Sequence, residues 1–435
     1  MVRMTGVRAA AVLTAVALGL AACGGGGEAD SGAAASTAAA PTGPVVTPDL
    51  VGMQIEGAEV EAWSSAPLGA LRLWDNGTAW SQIELAKGEY KWDNLDGIIA
   101  NAKSKGMNDI LMVLGTTPEW AVGKKAIKKG EDDYPQPGAA SPPKDLKDWS
   151  DWVTAVVTRY KGQITSYEIW NEANLKQFYN GSPEELAEMT KIAYDIIKAN
   201  DPNALVVAAS PALRLDGRFT EFYPKYLEAL AKDGWPVDVL TLHSYPAGDQ
   251  GPAERGQLVQ KYLDAVKAAG APADIPIWDT EINFGLPGPG DTPGSEATGA
   301  QAAGWIVRTF IDNLRYGVDR AYWYIWTQVP GGNTGVIKGI QAYPGSDAEQ
   351  GFFALDNWVV GSEFGGCTDE AGAVSCKFTR DGQTSVVAWA ENGEASIAVP
   401  AGAQLVCDPL ASCQEVTEGS QIALTEIPVR FYLQG

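Results

Sequence analysis

The chain has 435 residues, 45% of them hydrophobic, and carries 54 acidic side chains against 32 basic ones, a formal net charge of −22. That length accommodates one large domain and a small one with a full core, and the acidic balance excludes binding to nucleic acid by charge attraction. His243 is the single histidine, which rules out zinc sites built on several histidines, and no G-x-S-x-G elbow accompanies it for a serine hydrolase.

The N-terminus reads MVRMTGVR, then the apolar run AAAVLTAVALGLAA, then Cys23. A basic start, an apolar stretch too short to span a bilayer comfortably and small residues before a cysteine predict an export signal over residues 1–22. Leu20-Ala21-Ala22-Cys23 resembles the bacterial lipoprotein signal, which implies cleavage before Cys23 and a lipid on its thiol. The expected location is therefore the outer face of the cell membrane, reached through that anchor. Loss of the signal takes Arg3 and Arg8 with it, leaving 30 basic residues against 54 acidic, a net charge of −24. Residues 23–48 are Gly- and Ala-rich, bury too little surface to offset chain entropy, and are expected to form a flexible tether.

Beyond the tether, short apolar or β-branched runs alternate with stretches of helical period. Eight strands are expected, at 51–57, 69–74, 109–115, 165–171, 204–210, 237–245, 276–282 and 319–326. Amphipathic helix candidates between them include LDGIIANAKSKG, DLKDWSDWVTAVVTRYKG, SPEELAEMTKIAYDIIKAND and the period across residues 300–315. Repeated βα units of this kind predict an α/β fold, a (β/α)8 TIM barrel over residues 49–355. An open doubly wound sheet fits less well, because no Gly-rich phosphate turn follows the first strand. After about residue 355 the rhythm changes to short alternating segments, CKFTRDG, TSVVAWAENG, ASIAVPAG and PVRFYLQG, divided by Gly and Asn turns. A small all-β, sandwich-like domain is expected over 356–435.

Four further cysteines, Cys367, Cys376, Cys407 and Cys413, all fall in that domain, and an exported chain favours disulfides over metal ligation. Three pairings are open; short loop closure favours Cys367 with Cys376 and Cys407 with Cys413.

In a barrel, side chains at the C-terminal strand ends line the active site, so polar residues there are the first to inspect. Strand two ends in Arg72 and Trp74, strand three runs into Glu119 and Trp120, and strand four delivers Trp170, Asn171 and Glu172. Strand six ends in His243 and Tyr245, strand seven in Glu281 and Asn283, and strand eight in Trp323 and Trp326. Carboxylates on strands four and seven would face each other across the barrel mouth, an arrangement that suits a glycosidic bond held between an acid and a nucleophile. Trp74, Trp120, Trp170 and Trp326 are candidate platforms for sugar faces, with Trp326 foremost. Trp149 and Trp152 read as helix-face packing, and Trp358 as a joint between the two domains. Glu168 and Asp279 share strand parity with Glu172 and Glu281 and are expected one layer deeper, Glu168 paired with Arg72. Lys124, Lys125, Lys128 and Lys129 form a solvated charge cluster in the loop after strand three.

These residues together carry a resemblance. Asn171-Glu172 closing the fourth strand, the HSY run at 243–245, Thr280-Glu281 closing the seventh, Arg72 on the second and a Trp on the eighth resemble clan A of the retaining glycoside hydrolases. The TPEW run after strand three, YEIWNE and the appended β domain are most similar to the β-xylosidase and α-L-iduronidase family, family 39. The resemblance covers roughly residues 50–435 and implies that Glu172 is the general acid/base and Glu281 the nucleophile, about 5–5.5 Å apart. It implies that Asn171 donates to the sugar 2-hydroxyl, with Arg72, Trp74, Trp120, His243, Tyr245 and Trp326 around the carbohydrate. It implies no metal or organic cofactor. The expected substrate is a neutral oligosaccharide or polysaccharide, since the acidic balance disfavours polyanions, cleaved with xylosidase- or arabinosidase-like specificity. A transglycosylase with the same two glutamates and a catalytically silent sugar-binding lipoprotein are the alternatives. The sequence departs from the pattern after the nucleophile, where Ile282-Asn283-Phe284-Gly285 stands in place of an aromatic directly following the glutamate.

Overall fold

Residues 43–59, 63–123, 133–290, 292–329 and 339–433 are described by the computed structural model. Cys23 with the signal segment, and the Lys124–Lys129 cluster, lie outside them. Packing begins inside the stretch assigned to the tether: Val45 pairs with Glu363, and Val46 is buried.

Eight parallel strands form the barrel: β1 (Val51–Ile55), β2 (Ala70–Leu73), β3 (Asp109–Val113), β4 (Ser166–Glu168), β5 (Leu205–Val207), β6 (Leu240–His243), β7 (Ile277–Ile282) and β8 (Arg320–Trp326). They hydrogen-bond in the order β5-β4-β3-β2-β1-β8-β7-β6. A parallel bridge between Val207 and Val239 joins the two outer strands and closes the cylinder. The observed strands are shorter than the apolar runs, losing residues at one end or both.

Helices follow the strands from β2 onward: α1 (Asp93–Ser104), α2 (Leu146–Arg159), α3 (Pro183–Asn200), α4 (Asp216–Lys232), α5 (Pro252–Ala268), α6 (Gly299–Tyr316) and α7 (Asp347–Trp358). Among the described residues between β1 and β2 there is no helix, so the first unit departs from the expected pattern. Local signals set the helix ends. The Ser182 hydroxyl caps α3 by accepting from the Glu185 N–H, Glu185 returns the bond to the Ser182 N–H, and Pro183 supplies a first residue that needs no N–H partner. Gly317 ends α6 in the left-handed region at φ 74°.

Inside the cylinder Ala70, Leu111, Val207, Val239, Trp278 and Tyr322 pack together. Gly52 on β1 makes room for this layer, since a Cβ there would sit 2.5 Å from Tyr322 Cδ1. Between strands and helices runs a larger core in which Trp80, Trp152 and Trp92 stack, with centroids 6.1 and 6.0 Å apart. Trp149 and Trp152 are thus packing residues, as their helical spacing predicts.

The C-terminal strands are β9 (Glu363–Glu370), β10 (Ala373–Arg380), β11 (Gln383–Ala390), β12 (Ala395–Ala398), β13 (Ala403–Cys407), β14 (Cys413–Glu415), β15 (Gln421–Leu424) and β16 (Val429–Leu433). They make an antiparallel six-stranded sheet, β9-β10-β11-β16-β13-β14, and a two-stranded one, β12-β15. Cys367–Cys376 links β9 to β10 and Cys407–Cys413 links β13 to β14, each between directly opposed residues. Trp358 at the end of α7 is buried in one core with Val374, Phe378, Val387 and Trp389, so it does join barrel to sheet. Arg308 on α6 reinforces that joint by donating to the carbonyls of Ala390 and Glu391.

Candidate active site

Arg72, on β2, is fully buried at the base of the barrel mouth. Burying a guanidinium is costly unless its donors and its charge are matched, and here four hydrogen bonds and two carboxylates do so. Nε and Nη2 bind the Glu168 carboxylate at 2.8 and 3.1 Å, Nη2 also donates to Asn171 Oδ1 at 2.8 Å, and Nη1 meets Glu281 Oε1 at 2.5 Å. One side chain thereby fixes three others, from β4 and β7. Because arginine only donates, its contact with Asn171 Oδ1 orients the amide and directs the NH2 group elsewhere, toward the cavity.

Consecutive residues on an extended strand face opposite ways, yet Asn171 and Glu172 both serve the mouth. The backbone explains this. β4 ends at Glu168, and Trp170 and Glu172 take left-handed φ values of 74° and 40°, a conformation that side-chain-bearing residues adopt rarely and that concentrates at functional sites. The turn aims Asn171 and Glu172 at the cavity and swings Trp170 out into the helix layer. There it packs on Trp149 and Tyr179 and donates to the Phe178 carbonyl at 2.6 Å.

β7 uses an extra residue. Leu242 pairs with Asp279 while the next residue, His243, pairs with Glu281, so Thr280 is a bulge. The bulge breaks the parity that would stack Asp279 under Glu281. Asp279 instead faces outward to Arg255 of α5, at 2.8 Å, and to Ser244, while Thr280 and Glu281 both point in. Glu281 accepts from the Tyr245 hydroxyl at 3.0 Å. Glu168 keeps the deeper, Arg72-paired place expected of it.

His243 stands between the two carboxylates, its Nδ1 3.2 Å from Glu172 Oε1 and 3.5 Å from Glu281 Oε2. Its Nε2 is 3.1 Å from Thr280 Oγ1, whose hydroxyl donates to Glu168 Oε1 at 3.3 Å. With the Thr280 proton committed to Glu168, Nε2 must carry the imidazole hydrogen and Nδ1 must accept. The Nδ1 contact therefore calls for a proton on Glu172. Burial agrees: it pushes Glu172 up to about 7, partly offset by Arg214 and Arg72, and pushes His243 down to about 4. Burial also raises Glu281 above the ordinary carboxylate value, with His243 and Arg72 opposing. Since His243 is neutral at pH 7, Arg72 is the partner that sustains negative charge on Glu281 there.

One oxygen of Glu172, one of Glu281 and a ring nitrogen of His243 lie within 4.8 Å of one another. Such a cluster has the spacing of a cation site, but the Arg72 guanidinium already occupies the inner side of Glu281.

The two carboxylates open into a cavity of about 440 Å3. Trp74, Asn171, Glu172, Tyr245 and Glu281 line it, as the strand-end rule anticipates. Arg72 and His243 sit one layer below. Trp120, Trp170 and Trp326 do not line it. Trp120 donates to the Glu84 carbonyl and packs edge-on against Trp80, and Glu119 beside it is exposed. Trp326 is displaced by a second bulge: Met53 pairs with Trp323 and Ile55 with Trp326, so two residues of β1 span three steps of β8. Tyr324 and Ile325 both face the cavity, and Trp326 turns into the outer core.

Sequence reasoning missed Glu56, Asp75, Tyr134, Phe178, Leu286, Tyr324 and Ile325 on the cavity wall. Asp75 was within reach, directly after Trp74 at the end of β2. Tyr134 and Phe178 come from irregular loops with no periodic signal. With Trp74 they form an aromatic wall, centroids 5.8 to 6.0 Å apart, in place of the expected platform.

Comparison with known proteins bears on this geometry. The chain is 27% identical over 242 residues to a beta-xylosidase of Caldicellulosiruptor saccharolyticus, covering 51% of this chain and 46% of that one. It is 27% identical over 148 residues to a beta-xylosidase of Geobacillus stearothermophilus, 32% of this chain and 29% of the other, so it spans half or less of these relatives' length. In fold it is similar to a family 39 glycoside hydrolase from the gut symbiont Bacteroides cellulosilyticus, with TM-score 0.62, 17% identity and coverage of 90% of this chain and 83% of that one. A glucosidase from Croceicoccus marinus is also similar, with TM-score 0.59, 14% identity and coverage of 90% and 98%. The family model for glycosyl hydrolases family 39 matches residues 76–329, more than half of the chain, and the protein belongs to that family.

Proposed function

We propose that this protein hydrolyses O-glycosidic bonds of a neutral oligosaccharide or polysaccharide by double displacement, with retention at the anomeric carbon. The observation that carries the reading is the separation of the carboxylates: oxygens of Glu172 and Glu281 within 4.8 Å across one cavity. Retaining glycosidases hold their carboxyl groups about 5–5.5 Å apart, whereas inverting ones leave about 6.5–9.5 Å for a water.

Glu281, charged against Arg72 and held by the Tyr245 hydroxyl, attacks the anomeric carbon. Glu172 gives its proton to the departing oxygen. Once Glu281 is esterified its charge is gone, the electrostatic setting of Glu172 changes, and Glu172 takes a proton from the incoming water that resolves the intermediate. The Asn171 amide donates to the 2-hydroxyl, a contact that strengthens as positive charge develops on the ring and so favours the transition state. The beta-xylosidase relatives support a xyloside-like substrate. The N-terminal segment supports export and anchoring through Cys23.

The test is a panel of 4-nitrophenyl glycosides read with wild type, Glu172→Gln and Glu281→Gln, with the configuration of the first product followed by NMR. Expected are turnover on at least one neutral glycoside, a product of retained configuration, loss of turnover in Glu281→Gln, and a fall of about 10²–10⁴ in Glu172→Gln. An inverted product, or sugar binding without turnover across the panel, overturns the proposal.

A further inference from the structure

We infer that Asp75, clamped between Tyr134 and Tyr324 on the cavity wall, captures a hydroxyl of the sugar bound beside Glu281 and selects for sugars without an acid group. The inference rests on the glycosidase reading above and names the residue that would set its substrate class.

Asp75 follows the last residues of β2 and lines the same cavity as Glu172 and Glu281. The Tyr134 hydroxyl donates to its Oδ1 at 2.6 Å and the Tyr324 hydroxyl to its Oδ2 at 2.7 Å. Two phenols, rather than a cation, hold the group in place. Each carboxylate oxygen has two acceptor positions and each phenol fills one, so both oxygens keep capacity for a donor arriving from the cavity. Sugar hydroxyls are such donors; burial raises Asp75 above the ordinary carboxylate value, while the two phenols and Arg72 oppose that shift and favour the ionised acceptor, whose hydrogen bonds are the stronger kind.

Position ties this acceptor to the ring that reacts. The Tyr245 ring, whose hydroxyl binds Glu281, lies 6.5 Å from the Tyr324 ring, whose hydroxyl binds Asp75. The four groups trace one continuous wall from the nucleophile to Asp75. The other side is the aromatic surface of Trp74, Tyr134 and Phe178, with Tyr134 common to both. A pyranose lying on that surface places its equatorial hydroxyls at the rim where Asp75 stands. A glycone carboxylate in the same place would meet Asp75 and Glu56, both on the lining, and like charges at this range in a partly desolvated site repel strongly.

The experiment uses the folded full chain with 4-nitrophenyl β-D-xylopyranoside, α-L-arabinofuranoside, β-D-glucopyranoside and β-D-glucuronide. Monodeoxy analogues of the best neutral substrate are then tested with wild type, Asp75→Asn and Tyr134→Phe, and thermal unfolding of each variant is measured in parallel. Expected is a loss of about a hundredfold in kcat/KM for Asp75→Asn on the neutral substrate. One monodeoxy analogue should be cut by a similar factor for wild type and lose nothing further in Asp75→Asn. The preference for the glucoside over the glucuronide should narrow in the variant. A purely structural role would lower all substrates alike and leave the deoxy series additive. If Asp75→Asn does not fold, Tyr134→Phe with the wild-type deoxy series carries the same comparison. Wild-type turnover with Asp75→Asn unchanged, with additive deoxy losses, or with the glucuronide preferred overturns this inference and leaves the double displacement by Glu172 and Glu281 standing, the last outcome also replacing its neutral substrate by an acidic one. No wild-type turnover on any glycoside overturns both.

Discussion

Glu172 is the residue on which burial acts most plainly. Its ordinary value is 4.5 and in the folded chain it stands at about 7, so the folded protein holds this proton where the unfolded chain has lost it. Linkage then has a definite sign: stability falls as pH rises from about 4.5 to about 7, and the full cost, up to about 3 kcal/mol, is present above that. Glu172→Gln removes the cost while removing the proposed acid. The variant should therefore be more resistant to denaturant than wild type at pH 8, equal to it at pH 4, and far less active at both; equal resistance at pH 8 would show that the carboxylate is not desolvated. In wild type the alkaline limb of kcat/KM should fall near pH 7, where the acid ionises. The identities of both carboxylates were legible in the sequence, because a charged residue closing an apolar strand has few structural excuses. Their electrostatic division was legible only in part: Arg72 could be placed beside Glu281 from its strand end, whereas the burial that raises Glu172 comes from segments that only the fold brings together.

At the level of single elements, strand positions followed from alternating patterns, while the inward or outward sense of several residues did not. A bulge adds one residue without altering the composition of a run, so no period in the sequence marks it. That is why Asp279 reads as a companion of Glu281 and lies instead against Arg255, and why Trp326 reads as a platform and lies in the core. The bulge in β7 also does chemical work, by turning the Thr280 hydroxyl toward Nε2 of His243 and Oε1 of Glu168. Thr280→Val keeps the volume and removes this link. It should lower kcat/KM about tenfold, the worth of one hydrogen bond, with little change in KM, and Thr280→Ser should restore most of the loss. Loss of binding rather than of rate, or no rescue by serine, would count against the link. The β domain was readable from its turns and its cysteines; the loops carrying Tyr134 and Phe178 were not, for irregular backbone follows tertiary contacts rather than local propensity.

Across the molecule, barrel and β domain share one core, with Arg308 at the seam. Its guanidinium is fully buried, pairs with Asp312 at 3.2 Å and reaches Glu391 at 3.3 Å. Arg315 binds the same two acids from a partly exposed position. Removing the buried partner leaves the buried Asp312 with Arg315 as its remaining ion-pair partner, at 3.4 Å, so Arg308→Met should cost about 3 kcal/mol or more, whereas Arg315→Met should cost about 1 kcal/mol or less. Thermal unfolding of both variants checks the order; a larger loss from Arg315 would place the seam elsewhere. The chain carries one further consequence of its composition. Because a single imidazole exists in 435 residues and it sits between the two carboxylates, selective 15N labelling of histidine would yield one pair of ring resonances with nothing to overlap them. The protein thus contains its own reporter, able to register tautomer, protonation and ligand arrival without any attached probe.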